Sequence, residues 1–141
     1  MNRILVDTNV LIYSIDQESK YFKESADFLN SRSEIFISSK SISEFYAVLT
    51  RAPITSLSAA DSLKLARWFS INFPILFPDK SSLDILFNLT ENYKPKGLKV
   101  HDFEIVSIGL AHKIKKVATF NSKDFVGIKE IEVLDLKTER T

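Results

Sequence analysis

Arg3-Ile4-Leu5-Val6-Asp7-Thr8-Asn9 is an apolar run that halts in three polar residues. No alternation interrupts Ile4, Leu5 and Val6, so the segment predicts a strand buried on both faces, as in a parallel sheet, with Asp7 at its carboxyl end. Working outward, Phe22, Ala26 and Leu29 recur at spacings of four and three and predict a helix, and Glu34-Ile35-Phe36-Ile37 predicts a second strand. The order at that point is β-α-β. Ile42, Phe45 and Leu49 mark the next helix, which Arg51-Ala52-Pro53 is expected to stop. Ser58 with Asp61 forms a start signal for a further helix bearing Leu63, Ala66 and Phe69 on one face, closed by Asn72-Phe73-Pro74.

Pro74-Ile75-Leu76-Phe77 predicts a short third strand, and Asp79 is placed to cap a helix with Leu83, Leu86 and Thr90 along its face. Lys94-Pro95-Lys96-Gly97 is the clearest loop signal in the chain. Phe103, Val106, Leu110 and Ile114 then predict a helix leading to a fourth strand at Val117-Ala118-Thr119, with a fifth expected over residues 131–134. Strands alternating with helices predict a three-layer α/β/α fold around a central, mostly parallel sheet of four to five strands. With 141 residues the chain forms one core, so a single domain over 1–141 is expected, its last few residues a flexible tail.

Composition narrows the chemistry. There is no cysteine, which removes disulfides, thiolate nucleophiles and Cys-ligated metals and leaves oxygen and histidine as the available metal donors. The apolar runs fall far short of the roughly 20 residues a membrane helix needs, and no signal-peptide core opens the chain, so a cytoplasmic protein without a membrane partner is expected. A net charge of +1 lacks the strongly basic character of a protein that only grips phosphates. That objection weakens if several acids are gathered round a cation, because the remaining surface is then more positive than the total.

In a parallel sheet, the loops leaving the carboxyl ends of strands and the N-termini of the helices share one edge, where ligands bind. Asp7 closes the first strand, Glu44 is expected in the first turn of the helix after the second, and Asp102 opens the helix before the fourth. Three converging carboxylates repel one another unless a cation neutralises them. Oxygen ligands suit Mg²⁺ or Mn²⁺, which can lower the pKa of a bound water and polarise a phosphoryl oxygen, as phosphodiester hydrolysis requires.

These residues fall in a recognisable series. Residues 4–13, Ile-Leu-Val-Asp-Thr-Asn-Val-Leu-Ile-Tyr, then Ser43-Glu44, then His101-Asp102, then Ala118-Thr119-Phe120-Asn121-Ser122-Lys123-Asp124-Phe125 resemble, in order and spacing, the successive motifs of PIN domains. The likeness covers nearly the whole chain and is nearest to the short VapC-type toxins. It implies a Mg²⁺- or Mn²⁺-dependent endoribonuclease in which Asp7, Glu44 and Asp102 ligate metal directly or through water. It also implies an RNA substrate, a homodimer and a cognate antitoxin that blocks the site. Many members carry a fourth acid after the fourth strand. This chain departs from them with Asn121 at the commonest acidic position and Asp124 three residues on, and of the two Asn121 is ranked slightly ahead as the fourth ligand.

Bland alternatives stand beside each assignment. Ser41-Ile42-Ser43-Glu44 matches a capping box, Asp7 can form an Asx-turn, and Asp102 suits the positive end of a helix dipole. Thr8, Asn9 and Thr119 are candidates to orient the carboxylates from behind. Lys94, Lys96 and Lys99 are candidates for phosphate contacts, with Lys40 and Arg51 weaker, although a lysine-rich loop is usually just solvated. His101 is a candidate base or a cap, and His112 a structural residue. The phenylalanines and Trp68 are assigned mainly to the core, some to a groove for a partner helix or a self-association face. Two other functions compete. A haloacid-type phosphatase would use Asp7 as nucleophile, but it needs a second Asp where Asn9 stands. A non-catalytic PIN-like module for RNA binding or assembly has Asn121 as its one sequence support.

Overall fold

The computed structural model describes residues 2–31, 33–51 and 57–137. The stop expected at Ala52-Pro53 and the expected tail over 138–141 lie outside the described residues. Five strands, β1 (Arg3–Val6), β2 (Glu34–Ser38), β3 (Ile75–Leu76), β4 (Lys116–Thr119) and β5 (Glu132–Asp135), form one sheet in the order β3-β2-β1-β4-β5. Every pairing is parallel, so "mostly parallel" understates the sheet. The uninterrupted apolar reading of β1 follows from its central place: Ile4 and Val6 enter the core on one face and Leu5 the core on the other.

The helices α1 (Thr8–Ile15), α2 (Phe22–Leu29), α3 (Ser39–Arg51) and α4 (Ala59–Asn72) cover the first face, where Val10, Leu11, Phe45, Leu49, Ala66 and Phe69 meet Ile4, Val6, Ile35 and Ile37. The helices α5 (Lys80–Tyr93) and α6 (Lys99–Ala111) cover the other, with Leu89, Phe103 and Val106 against Val117 and with Ile105 and Ile108 against Leu5. This is the three-layer α/β/α arrangement, and no described helix is long and apolar enough to cross a membrane.

Four expectations need correction. Two helices, not one, join β1 to β2, because Asp7 caps α1 directly: its carboxylate accepts from the Thr8 N–H. Leu63 and Leu83 are exposed; α4 and α5 bury Ser62 and Ser82 on their inward faces instead. Ile114 is buried beyond the end of α6, not on it. Trp68 stands half out of the surface. The caps at Ser58 and Asp79 form as expected, the latter as a reciprocal pair with Ser82.

The strand order fixes where a ligand fits. The chain runs outward from β1 to β2 and β3, then crosses to the far side of β1 to lay down β4 and β5. Between β1 and β4 successive connections depart to opposite faces, which leaves a crevice at the carboxyl ends of those strands. Asp7 follows β1 and Thr119 ends β4, and the Asp7 N–H still bonds the Ala118 carbonyl at 2.9 Å.

Candidate active site

Asp7 is only 8% exposed at the bottom of this crevice. Its Oδ1 accepts from the Thr8 N–H at 2.8 Å, and its Oδ2 accepts from the Thr119 hydroxyl at 2.8 Å. Thr119 Oγ1 in turn accepts from the Asn121 N–H at 2.9 Å and from the Asn9 amide at 3.3 Å, while Asn9 Oδ1 accepts from the Phe120 N–H at 3.3 Å. Asp7 is therefore held by both segments that flank the crevice. The helix-capping reading and the site reading hold together, since one oxygen starts α1 and the carboxylate still lines the crevice.

Glu44 is the sixth residue of α3, in its second turn and not its first. The capping box expected from Ser41 and Glu44 does not form. α3 starts at Ser39, so the Ser38 hydroxyl accepts from the Ser41 N–H at 3.0 Å and takes the capping duty. Glu44 Oε1 instead accepts from the Thr8 hydroxyl across the crevice at 2.9 Å. Behind it, the buried hydroxyls of Ser38, Ser41 and Thr8 form a chain with links of 3.1 and 3.0 Å. Sequence reasoning missed Ser38 and Ser41 as supports of Glu44; the available signal was the serine-rich run at the end of β2.

Asp102 lies in the first turn of α6 and is partly buried. Asp124 lies in a 3-10 turn, Ser122–Asp124, and Asn121 donates its side-chain amide to Asp124 Oδ2. Asn121 and Asp124 thus form one unit, not alternatives in separate places.

The charges are crowded. Burial pushes the Asp7 carboxyl up from 3.8 to about 6; its bonds from Thr119 and Thr8 pull it down, and Glu44 and Asp124 add to the rise. Burial likewise pushes Asp102 from 3.8 to about 7, reinforced by Asp7 and Asp124, opposed by Lys99, and reinforced again by Glu44. Asp7, Glu44, Asp102 and Asp124 therefore share one electrostatic field. They do not form a ready-made coordination shell: among the described residues no three His, Asp or Glu side chains stand close enough to hold one ion. A hard divalent cation fits the donor chemistry, which is all oxygen, and it fits the field, which disfavours ionisation of two of the carboxyls. Closing round such an ion requires side-chain rotation.

The cations are placed unevenly. Lys94 and Lys96 remain exposed on the loop before α6, whose turn uses left-handed backbone at Lys94 (φ 52°) and Gly97 (φ 61°). Lys99 turns inward: its ammonium lies 3.9 Å from Asp102 Oδ2 and 3.7 Å from Asp124 Oδ1. Lys40 pairs with Glu104 at 3.3 Å, and His101 lies 4.0 Å from the same carboxylate. Arg51 is exposed at the end of α3, and His112 Nδ1 meets the Ile108 carbonyl of its own helix at 3.0 Å.

Comparison with solved structures places the fold among VapBC complexes. A VapBC2 complex from Rickettsia felis, bound to a DNA fragment from its promoter, superposes with a TM-score of 0.73 at 17% identity, over 94% of this chain and 98% of that one. A DNA-bound VapBC from Salmonella typhimurium gives 0.71 at 22% identity, over 96% and 99%. The Mycobacterium tuberculosis toxin VapC20, described as cleaving the sarcin-ricin loop, gives 0.71 at 9% identity, over 89% and 95%. No curated protein matches the chain in sequence. The PIN domain family matches residues 4–131, a span that takes in all four motif segments and four of the five strands, and the chain belongs to that family.

Proposed function

We propose that this protein is a divalent-cation-dependent endoribonuclease acting in the cytoplasm, the toxin of a toxin–antitoxin pair. The observation that carries the reading is the placement of four acids at the β1/β4 crevice of a PIN fold, with Glu44 held by the Thr8 that follows Asp7 and with Asp102 and Asp124 flanking the Lys99 ammonium. Asp7, Glu44 and Asp102 would hold Mg²⁺ or Mn²⁺, with the Asn121–Asp124 unit completing the set. When bound, such an ion supplies Lewis-acid activation of water and of the phosphodiester.

The chain's own residues do the rest. Thr119 and the Thr8 N–H hold the two oxygens of Asp7, and the Thr8 hydroxyl holds Glu44, so both carboxylates are kept at the crevice by the chain's own donors. Lys94 and Lys96, exposed just before Asp102, are free to meet backbone phosphates of an RNA strand. The phosphatase reading loses support because Asn9, where that chemistry needs an acid, spends its amide on Thr119 and the Phe120 N–H. The non-catalytic reading loses its one support, because Asn121 is coupled to an acid, Asp124, at the same place.

The antitoxin and homodimer belong to the same reading. An apolar groove of about 300 Å³ between α1, α2 and α4, lined by Ile15, Leu29, Leu65, Trp68 and Phe73, and the exposed Phe77 and Phe87 beside α5 offer surface for both. A chain that stays monomeric by light scattering at every concentration contradicts the dimer. The nuclease itself is tested with EDTA-stripped, antitoxin-free protein on total cellular RNA. Cleavage should require added Mn²⁺ or Mg²⁺ and should fall at least about a hundredfold in Asp7→Asn. Cleavage that survives EDTA or the substitution contradicts the proposal.

A further inference from the structure

Lys99 stands apart from the other lysines of its loop. It opens α6 with a side chain 36% exposed, and its ammonium faces Asp102 and Asp124 at 3.9 and 3.7 Å. The same ammonium donates to the Asp124 carbonyl, while the Asn121 amide holds the other oxygen of that carboxylate. Its donors are thus turned into the acid crevice, whereas Lys94 and Lys96 stay exposed on the loop. A part-exposed ion pair of this kind contributes little to folding, so fold stability gives a weak reason for it. Its larger consequence is for cations: a positive charge tethered within 4 Å of two carboxylates competes with any mobile ion that would bridge them.

Charge balance makes the consequence specific. Four carboxylates, Asp7, Glu44, Asp102 and Asp124, balance two divalent ions. With one ammonium already among them, a second divalent ion would leave the site net positive. We propose that Lys99 is a tethered cation that takes the place of a second metal ion between Asp102 and Asp124, so that the site binds a single divalent ion. This inference rests on the cation-binding reading above and adds what that reading leaves open: the number of ions, and the residue that sets it. Lys99 is in this sense a positioning residue, acting on metal through the carboxylates it holds.

Calorimetric titration of EDTA-stripped protein with Mn²⁺, checked by counting bound Mn²⁺ by electron paramagnetic resonance, tests it without any RNA. The native chain should bind one Mn²⁺. Lys99→Met should bind a second Mn²⁺, with the first bound at least as tightly as in the native chain. Lys99→Arg, which keeps the charge, should bind one ion with affinity within about threefold of native, and thermal melting establishes that both variants are folded. Two ions in the native chain, or a single ion in Lys99→Met at whatever affinity, overturn the inference while leaving the metal-dependent nuclease standing; weakened RNA binding in that second case would make Lys99 a phosphate contact. Absence of Mn²⁺ binding in all three proteins removes both this inference and the cation site on which it rests.

Discussion

Asp7 shows how one side chain is placed under tension between folding and chemistry. Each of its two oxygens accepts one hydrogen bond, yet its burial makes the ionised form costly. The folded value of about 6 lies above 3.8, so the folded chain keeps a proton that the unfolded chain has already lost. The stability tied to this group is complete below about pH 4 and disappears as the pH rises through about 6, reaching a cost of about 3 kcal/mol. Asp102, raised from 3.8 to about 7, shifts stability in the same direction over a window that starts at the same pH and ends about one unit higher. Asp7→Asn should therefore raise the melting temperature of metal-free protein by a few degrees at pH 8 and by much less at pH 4. The gain falls short of the full cost because the new amide meets a Thr119 oxygen that already accepts two bonds. A variant that melts lower at pH 8 than the native chain would contradict the burial argument.

The sequence made Asp7, Glu44 and Asp102 legible because each sits at a strand end or near a helix start that periodicity alone locates. The directions of Lys99 and of the Ser38–Ser41 hydroxyls were not legible. A lysine within a loop has the same sequence signature whether it faces solvent or a pair of carboxylates.

At the level of elements, the strands and most helices follow from apolar spacing, and the misses have a common cause. Small hydroxyl residues lie on inward faces: Ser25 donates back to the Tyr21 carbonyl at 2.9 Å and Ser107 to the Phe103 carbonyl at 2.7 Å, so each is buried without an unpaired polar group. An apolar stripe traced through leucines therefore drifts onto Leu63 and Leu83, which face outward. The polar Asp7-Thr8-Asn9 reads as the end of a strand and carries no helical periodicity, whereas it is a cap followed by the first turn of α1.

The α6 helix shows the same tight packing at Gly109, where a Cβ would meet Leu5 Cδ2 at 2.8 Å and the Ile114 carbonyl at 3.3 Å. Helix propensity alone favours Ala over Gly by about 1 kcal/mol. Leu5 is fully buried and has no room to retreat, so overpacking should win. Gly109→Ala is expected to destabilise the chain by about 1–2 kcal/mol in urea unfolding; a stabilised variant would mean that α6 can lift from β1 at little cost.

For the whole molecule, the net charge of +1 conceals a separation. Four acids gather at the carboxyl edge of the sheet, while Arg3, Lys113, Lys115 and Lys116 line the opposite end of β1 and β4 beside Glu132. The topology accounts for the first cluster, since the connections beside β1 and β4 depart to opposite faces and leave a crevice where the carboxyl ends of those paired strands emerge. Composition could exclude cysteine chemistry and a membrane helix, but it could not reveal this separation, because charge position depends on the order in which strands are laid down.

Anomalous diffraction from crystals grown with Mn²⁺ tests the central claim most directly. A manganese peak bonded to Asp7, Glu44 and Asp102 at the β1/β4 crevice, lost in Asp7→Asn, is the predicted result. An empty crevice at saturating Mn²⁺, or manganese held elsewhere on the chain, would contradict the account.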